Sequence, residues 1–379
     1  MDRVYGVGIV GFGWMGKTNA YAYRNLPFYY RQLPLKTKLI GVCVRRAETI
    51  QPAIDMAGFE FGTTNFDDLL QRDDIQIINV CTPNDLHKDQ IIAAIKAGKH
   101  VYCDKPLLLN HDEGRQVLDV IQTHGKGLVT QMAVQYRYIP ATMRAKQIID
   151  EGRLGKILSF RTAFLHASLV DPNRPAGWRL RPGTGGGTLY DMGSHLLDLL
   201  THLLGQPKSI ITQTCTFTPQ RIDAATGKTM EVQADDLALM LLQMKNGFVG
   251  SAEISKVATG VNDDLRMEIH GEKGALRFAL SNPNILEYFD GTAPEEPLGG
   301  TRGFVRIETA GKYQTPVGNA FVPKLSIGWF TAHVACLYNF LSAVAGTSKP
   351  APDFAEAIEL QRLLDLGYES ASRQAWISL

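Results

Sequence analysis

The chain has 379 residues, 45% of them hydrophobic and 20% charged, with a formal net charge of +1. This is the balance of an ordinary globular protein of two or three domains, and it gives no reason to expect nucleic acid or an acidic membrane surface as partner. No apolar run reaches the length of a membrane span, and the five widely spaced cysteines, with no CxxC or Cys/His cluster, suggest neither a disulfide frame nor structural zinc.

The N-terminal run 4–10 reads as a strand. It leads into Gly11-Phe12-Gly13-Trp14-Met15-Gly16 and a helix-compatible stretch, 14–25. Strand, glycine turn and helix start form the arrangement that holds a dinucleotide pyrophosphate. The first glycine permits the tight turn, the second lets the backbone approach the phosphates, and the third lets the helix pack on the strand. Glycines within this run, and no small-residue cleavage site, argue against a signal peptide. Residues 27–37 read as a loop. Strands are expected at 38–44, 59–62, 75–81, 100–103 and 128–133, with helices at 47–57, 66–70, 87–97 and 112–124 between them. Gly98 stops one helix, and Asn110 with Glu113 forms the capping box of another. Strands alternating with helices mean a parallel, doubly wound sheet.

After residue 134 the pattern changes. Helices are expected at 139–151 and 189–204 and a strand at 156–165. From 209 to 289 strands follow one another, with Gly247, Gly271 and Gly274 at turns, as in an antiparallel meander. Residues 291–328 read as loop with a short strand. Helices 329–344 and 354–373 close the chain, the second capped by Asp353 and Glu356. The expectation is a Rossmann domain over 1–134 and an α+β domain with a large, mostly antiparallel, open-faced sheet over 135–379.

Ligands of open parallel sheets bind outside the carboxyl ends of the strands. Three segments follow apolar strands to that edge: the glycine turn, Thr82-Pro83-Asn84 leading to His87, and Asp104-Lys105-Pro106. A lysine there can hydrogen-bond a substrate hydroxyl and favour its alkoxide, whereas a solvated surface lysine is the plain alternative. In the second domain Asp191, His195 and Asp198 share one helical face beside leucines. An imidazole beside a carboxylate suits acid–base work, and a capping or core histidine is the alternative. Asp191 and His195 have metal-ligand spacing, but no third ligand cluster accompanies them, so no metal is expected.

Four ordered segments carry a resemblance: GFGWMG, CTPNDLHKDQIIAAIKAGKHVYCDKPL at 81–107, QYRYIPATMRAKQIIDEGRLGKI at 135–157 and GWRLRPGTGGGTLYDMGSHLLDLLTHLLG at 177–205. Together they resemble the glucose–fructose oxidoreductase/inositol dehydrogenase/MocA family over the first 205 residues, and the later β-rich region fits its C-terminal domain. The resemblance implies catalytic roles for Lys105, Asp191 and His195 and an assembly of two or four copies. Thr82, Pro83, Asn84 and His87 are expected at the nicotinamide ribose. Trp178 and Arg179 are expected to close over cofactor or substrate. Gln135 and Arg137 are candidates for substrate hydroxyls, with Arg137 equally able to brace the domain junction. Asp104 departs from the family, where glutamate is commoner. The second strand ends Val42-Cys43-Val44-Arg45-Arg46 with no acid for ribose hydroxyls, which favours NADP over NAD; two solvated arginines are the alternative.

The expected activity is a cytoplasmic NAD(P)-dependent oxidation of a secondary alcohol, or reduction of the matching ketone, of a sugar, polyol or glycoside. The alternative is a dinucleotide-sensing regulator or binding protein that keeps the fold without turnover.

Overall fold

The computed structural model describes residues 4–181, 183–310, 326 and 328–379, which fall into two compact units. The first unit holds the chain up to Tyr138 together with Gly328–Gln361. The second begins at Ile139, carries the large sheet, and ends with Arg362–Leu379.

The first unit is built on β1 (Val4–Val10), β2 (Lys36–Cys43), β3 (Phe61–Thr63), β4 (Ile77–Val80), β5 (His100–Cys103) and β6 (Thr130–Met132). Their order is β3-β2-β1-β4-β5-β6, and all neighbours run parallel. Helices α1 (Trp14–Tyr29), α2 (Ile50–Ala57), α3 (Asp67–Leu70), α4 (His87–Lys96) and α5 (His111–His124) make the crossovers. Val7, Ile9, Val42, Ile77, Ile78, Val80 and Val101 are all buried, as expected for strands covered on both faces. Strand order reverses at β1 and β4, so the carboxyl ends of β1, β4 and β5 open a crevice at one edge.

Local signals account for most of these elements. The Asn110 side chain accepts from the Glu113 N–H at 3.0 Å, and the Glu113 carboxylate reaches back to the Leu109 N–H at 3.0 Å. The loop expected from residue 27 is instead helix as far as Tyr29, with Pro27 inside it. Packing overrides the proline: Tyr23, Leu26 and Tyr30 are buried, and Tyr30 stacks on Tyr338 at 4.0 Å.

The second unit contains α6 (Pro140–Asp150), β7 (Ile157–Leu165), α7 (Thr188–Asp191), α8 (Gly193–Leu204), β8 (Pro207–Cys215), the small hairpin β9 (Gln220–Ile222) and β10 (Thr229–Glu231), and β11 (Leu237–Met244) to β12 (Val249–Ser255). It continues with β13 (Asp264–Gly271), β14 (Gly274–Ala279), β15 (Ile285–Asp290) and β16 (Phe304–Glu308). After α9 (Trp329–Val344), in the first unit, α10 (Phe354–Arg373) runs from one unit into the other, and β17 (Ile377–Ser378) completes the sheet.

The sheet order is β16-β15-β14-β13-β7-β12-β11-β8-β17. The meander expected after residue 209 is therefore interrupted. Strands β12 and β13 are not neighbours, because β7 lies between them, antiparallel to β13 and parallel to β12. One face is buried. Along β11, Ala238, Met240, Leu242 and Met244 turn inward, while Leu239 and Leu241 are 46% and 54% exposed. The short strand expected within 291–328 is β16; residues 311–325 and 327 of that stretch lie outside the described residues.

Candidate active site

In the first unit the three glycines of the turn do three different things. Gly11 has φ +85°, and a Cβ there would lie 2.6 Å from the Cys81 carbonyl oxygen. At Gly16 a Cβ would lie 2.1 Å from the Gly11 carbonyl oxygen. At Gly13 a Cβ would have no protein neighbour within 4 Å, and the residue stands at the N-cap of α1 without a side-chain cap. The first two are dictated by backbone packing. The third stands at the start of α1, where no side chain caps the first helix N–H groups, the kind of helix N-terminus that can bind an anion. Phe12, Trp14 and Met15 fill the rest of the turn, with Phe12 edge-on to Phe59 at 5.5 Å and Trp14 67% exposed.

The second segment is held from behind. His87 is fully buried, its Nε2 2.9 Å from the Thr82 carbonyl and its Nδ1 3.1 Å from the Leu107 carbonyl. It ties the Thr82–Asn84 turn to the chain after β5 and presents no surface to a ligand, in contrast to the lining position expected for it. The Thr82 hydroxyl donates to Gln90 at 2.7 Å, and Asn84 is buried. In the third segment Asp104 is buried and accepts from the Lys105 N–H at 2.9 Å. Lys105 follows, half-buried, and the Lys105–Pro106 peptide is cis.

Beside this segment is a residue that sequence reading missed. His333 of α9 is buried, rests edge-on against Trp329 at 4.2 Å, and has no hydrogen-bond partner on either ring nitrogen among the described residues. Burial first, and the Lys105 charge second, push its pKa down to about 3. Trp329 in turn lies 6.1 Å from Trp14. Gln135 and Arg137 are both buried in the turn 135–138, and Arg137 reaches Glu356 of α10 at 3.5 Å. Arg45 and Arg46 are exposed beyond the end of β2, with Arg46 Nε 3.4 Å from Glu48.

In the second unit the run Gly185–Gly187 enters α7. A Cβ on Gly186 would lie 1.7 Å from the Arg179 carbonyl oxygen. Asp235 receives the N-terminus of α7: its carboxylate accepts from the Leu189 N–H at 2.9 Å and its carbonyl from the Thr188 hydroxyl at 2.7 Å. Burial raises the Asp235 pKa, opposed by hydrogen bonds from Tyr368 and the Leu189 N–H.

At the far end of α7, Asp191 is held by two cations. Lys256 Nζ lies 2.6 Å from its Oδ2 and Arg179 Nε 3.4 Å from its Oδ1. His195 follows four residues on, 8% exposed and edge-on to Phe164 at 6.2 Å. Asp198 is buried deeper in α8. Arg179 stacks on Trp178 at 4.5 Å. The segment bearing this pair is tied down: Arg221, buried, donates to the carbonyls of Leu169, Asp171 and Arg174 at 2.8–3.1 Å, and Arg181 forks onto Asp223 at 2.7 and 2.9 Å. Beneath it Leu169, Ala176, Leu180 and Val232 form a small core of their own.

Lys256 and His166 were not singled out from sequence, and the sheet explains both. Because β7 and β12 are parallel, Leu165 and Ser255 are register partners, so the next residues, His166 and Lys256, emerge at one end. Burial lowers the His166 pKa, with Asp263 opposing and Lys256 adding to the effect. A lysine within two residues of a strand's end marks both Lys105 and Lys256, but only the pairing of β12 with β7 shows where the second one leads.

The family described as "Oxidoreductase family, NAD-binding Rossmann fold" matches residues 5–132, and the GFO/IDH/MocA C-terminal domain matches residues 142–277. The chain belongs to the GFO/IDH/MocA oxidoreductase family. Among curated relatives of this oxidoreductase, levoglucosan dehydrogenase of Pseudarthrobacter phenanthrenivorans is 30% identical over 386 residues, covering 98% of this chain and 97% of the relative. The NADP-dependent scyllo-inositol 2-dehydrogenase of Bacillus subtilis is 34% identical over 152 residues, 40% of each chain. A solved levoglucosan dehydrogenase in complex with NADH and levoglucosan superposes with a TM-score of 0.93 at 29% identity, covering 100% of this chain and 99% of the other. Within the oxidoreductase all five cysteines are free, no group of described residues is arranged to hold a metal ion, and no described helix is long and apolar enough to cross a membrane.

Proposed function

We propose that the protein transfers hydride between NAD(P) and a secondary alcohol or ketone of a sugar, polyol or glycoside. The observation that carries this reading is the pair at the α7–α8 junction. An aspartate fixed by Lys256 and Arg179 stands four residues before a nearly buried imidazole, in a chain that aligns end to end with levoglucosan dehydrogenase. When bound, NAD(P) supplies the hydride acceptor or donor at its nicotinamide. Gly11, Gly13 and Gly16 with the start of α1 hold its pyrophosphate. Lys105 donates a hydrogen bond to the reacting oxygen and favours its anionic form, and His195 takes the hydroxyl proton. Asp191 orients the substrate or the imidazole. Gln135 reads a further hydroxyl, and Arg137, paired to Glu356, braces the turn that carries it.

NADP is the favoured cofactor, since Arg45 and Arg46 offer guanidinium groups where a carboxylate would favour NAD. The deciding assay mixes protein, NADP or NAD and a sugar and polyol panel, and follows reduced-nicotinamide absorbance. We expect turnover with NADP preferred, a loss of about 10-fold in NADP affinity in Arg45→Ala/Arg46→Ala, and a loss of ~10²–10⁴ in Lys105→Ala and His195→Ala. Retained turnover in both of the latter, with fold intact, refutes the roles; binding without turnover on any substrate identifies a sensor.

The open face of the large sheet encloses a groove of ≈ 1100 Å³ beside the exposed Leu239 and Leu241. A second copy of this chain is the occupant we assign to it, giving a dimer or tetramer. Light scattering that returns a monomer at micromolar concentration rules this out. Five free thiols fit a reducing cytoplasm.

A further inference from the structure

Among the described residues one buried side chain, His333, has two polar atoms without a hydrogen-bond partner. It is 2% exposed, and neither ring nitrogen is bonded. A neutral imidazole carries one N–H donor and one acceptor lone pair, so both needs go unmet, at a cost that an apolar side chain would avoid. Its neighbours along α9, Ala332, Val334, Ala335 and Leu337, are apolar and buried. Packing alone gives no reason for an imidazole here.

Its surroundings give one. The ring rests edge-on against Trp329 at 4.2 Å, and Trp329 lies 6.1 Å from Trp14, the first residue of α1 after Gly13. The Lys105 ammonium is close enough for its charge to act on the ring. All of these residues belong to the first unit. His333 and Trp329 therefore connect Lys105 with the start of α1. A dinucleotide with its pyrophosphate at α1 and its nicotinamide beside the oxygen that Lys105 binds spans the same interval.

We propose that His333 is a cofactor-binding residue, whose ring accepts a hydrogen bond from the carboxamide N–H of the nicotinamide. This rests on the reading of Gly13 and Lys105 given above. A cation beside the imidazole favours the tautomer that turns a lone pair, and not an N–H, toward it. The acceptor thus faces the side on which Lys105 lies. Reaching it takes a turn of the Trp329 indole, which is half-buried at the first position of α9. A carboxamide held in this way fixes which face of the nicotinamide meets the substrate.

The test measures binding to the full chain by titration calorimetry, without substrate. Three ligands are compared: NADP, its acetylpyridine analogue, in which a methyl replaces the carboxamide amino group, and the ADP-ribose phosphate that lacks nicotinamide altogether. Should NAD bind more tightly than NADP, the same three ligands without the extra phosphate are used. The parent is expected to bind NADP at least about fivefold more tightly than the acetylpyridine analogue. In His333→Met the NADP affinity is expected to fall about fivefold, while the other two ligands stay within about twofold of the parent. His333→Gln, which restores an acceptor, is expected to recover most of that loss, and melting temperatures are followed throughout. A loss of the same size for the acetylpyridine analogue overturns the proposal, since His333 then acts on the fold or on the ring and not on the carboxamide. So does an NADP loss under about twofold in His333→Met. If His333→Met does not fold, the parent decides alone: equal affinity for NADP and the acetylpyridine analogue overturns the proposal. The ADP-ribose phosphate separates this failure from that of the reading beneath it. A parent that does not bind it refutes the cradle at α1, and this inference with it; a parent that binds it but shows no preference for the carboxamide loses only the role of His333.

Discussion

Two glycine runs, one in each unit, show one residue type serving opposite ends. At Gly13 a side chain would meet no protein atom within 4 Å. At Gly187 a Cβ would lie 2.4 Å from both the Asp235 carboxylate and the Tyr368 hydroxyl, and φ is +112°. The first glycine preserves a space that the protein leaves open. The second preserves a space that the protein fills, because the Gly187 backbone must pass against a buried carboxylate for Asp235 to reach the start of α7. A glycine therefore points to a ligand only where its missing side chain faces nothing. The N-terminal turn fits the anion cradle proposed above, and the Gly185–Gly187 run is packing that leads into α7; open space by itself does not mark a ligand, since Gly98 and Gly247 face it too.

The sharpest way to break this contrast is Gly187→Ala. The added methyl collides with two groups that hydrogen-bond each other, in a backbone conformation that L residues rarely adopt. The expected loss of unfolding free energy is about 3 kcal/mol or more, read by urea titration, with catalysis failing because α7 is displaced. A variant with wild-type stability and turnover would show that the run is plastic.

The two regions also differ in how they hold an imidazole. His166, in the second unit, is only partly exposed and has charged groups of both signs around it. His333, in the first, is sealed against Trp329 and kept neutral to about pH 3. The unfolded chain protonates this ring near pH 6.5, so between pH 6.5 and about 3 the unfolded state binds more protons. Stability must fall as pH drops through that window. At pH 5 the penalty from this one group is about 2 kcal/mol. His333→Met is expected to shrink the drop in unfolding free energy between pH 7 and pH 5 by that amount. An unchanged slope would mean that the ring finds a proton-accepting partner on acidification.

The same contrast explains what could be read from the sequence. The nucleotide-binding half was legible because its signals are local: an apolar strand, a turn of spaced glycines, the Asn110–Glu113 cap, and Lys105 two residues after a strand. Asp191 and His195 were legible for the same reason, lying one helical turn apart. What escaped depends on pairing across long stretches of chain. Lys256 meets Asp191 only because β7 enters the middle of the sheet beside β12, and Asp235 caps α7 from 47 residues away. His333 sits near Lys105 although more than 200 residues separate them, on a helix that clusters with the first unit and not with the domain it follows in sequence. The placement of His87 is a similar case, since its spacing from Thr82 says nothing of the Leu107 carbonyl that closes over it.

Gly13→Ala gives the smallest effect and the cleanest separation of binding from folding. Its φ of −75° and ψ of −155° suit alanine, and no neighbour is crowded. Unfolding free energy is expected to fall by no more than about 1 kcal/mol, the cost of alanine in place of glycine at an N-cap. NADP affinity, in contrast, is expected to fall by at least about tenfold, because the methyl is added at the N-cap of α1, where the proposed function places the phosphate oxygens. The two measurements move together if Gly13 is structural and apart if it is kept for an anion. Stability and affinity both unchanged would place the pyrophosphate somewhere other than this turn, and the first half of the contrast with Gly187 would fall.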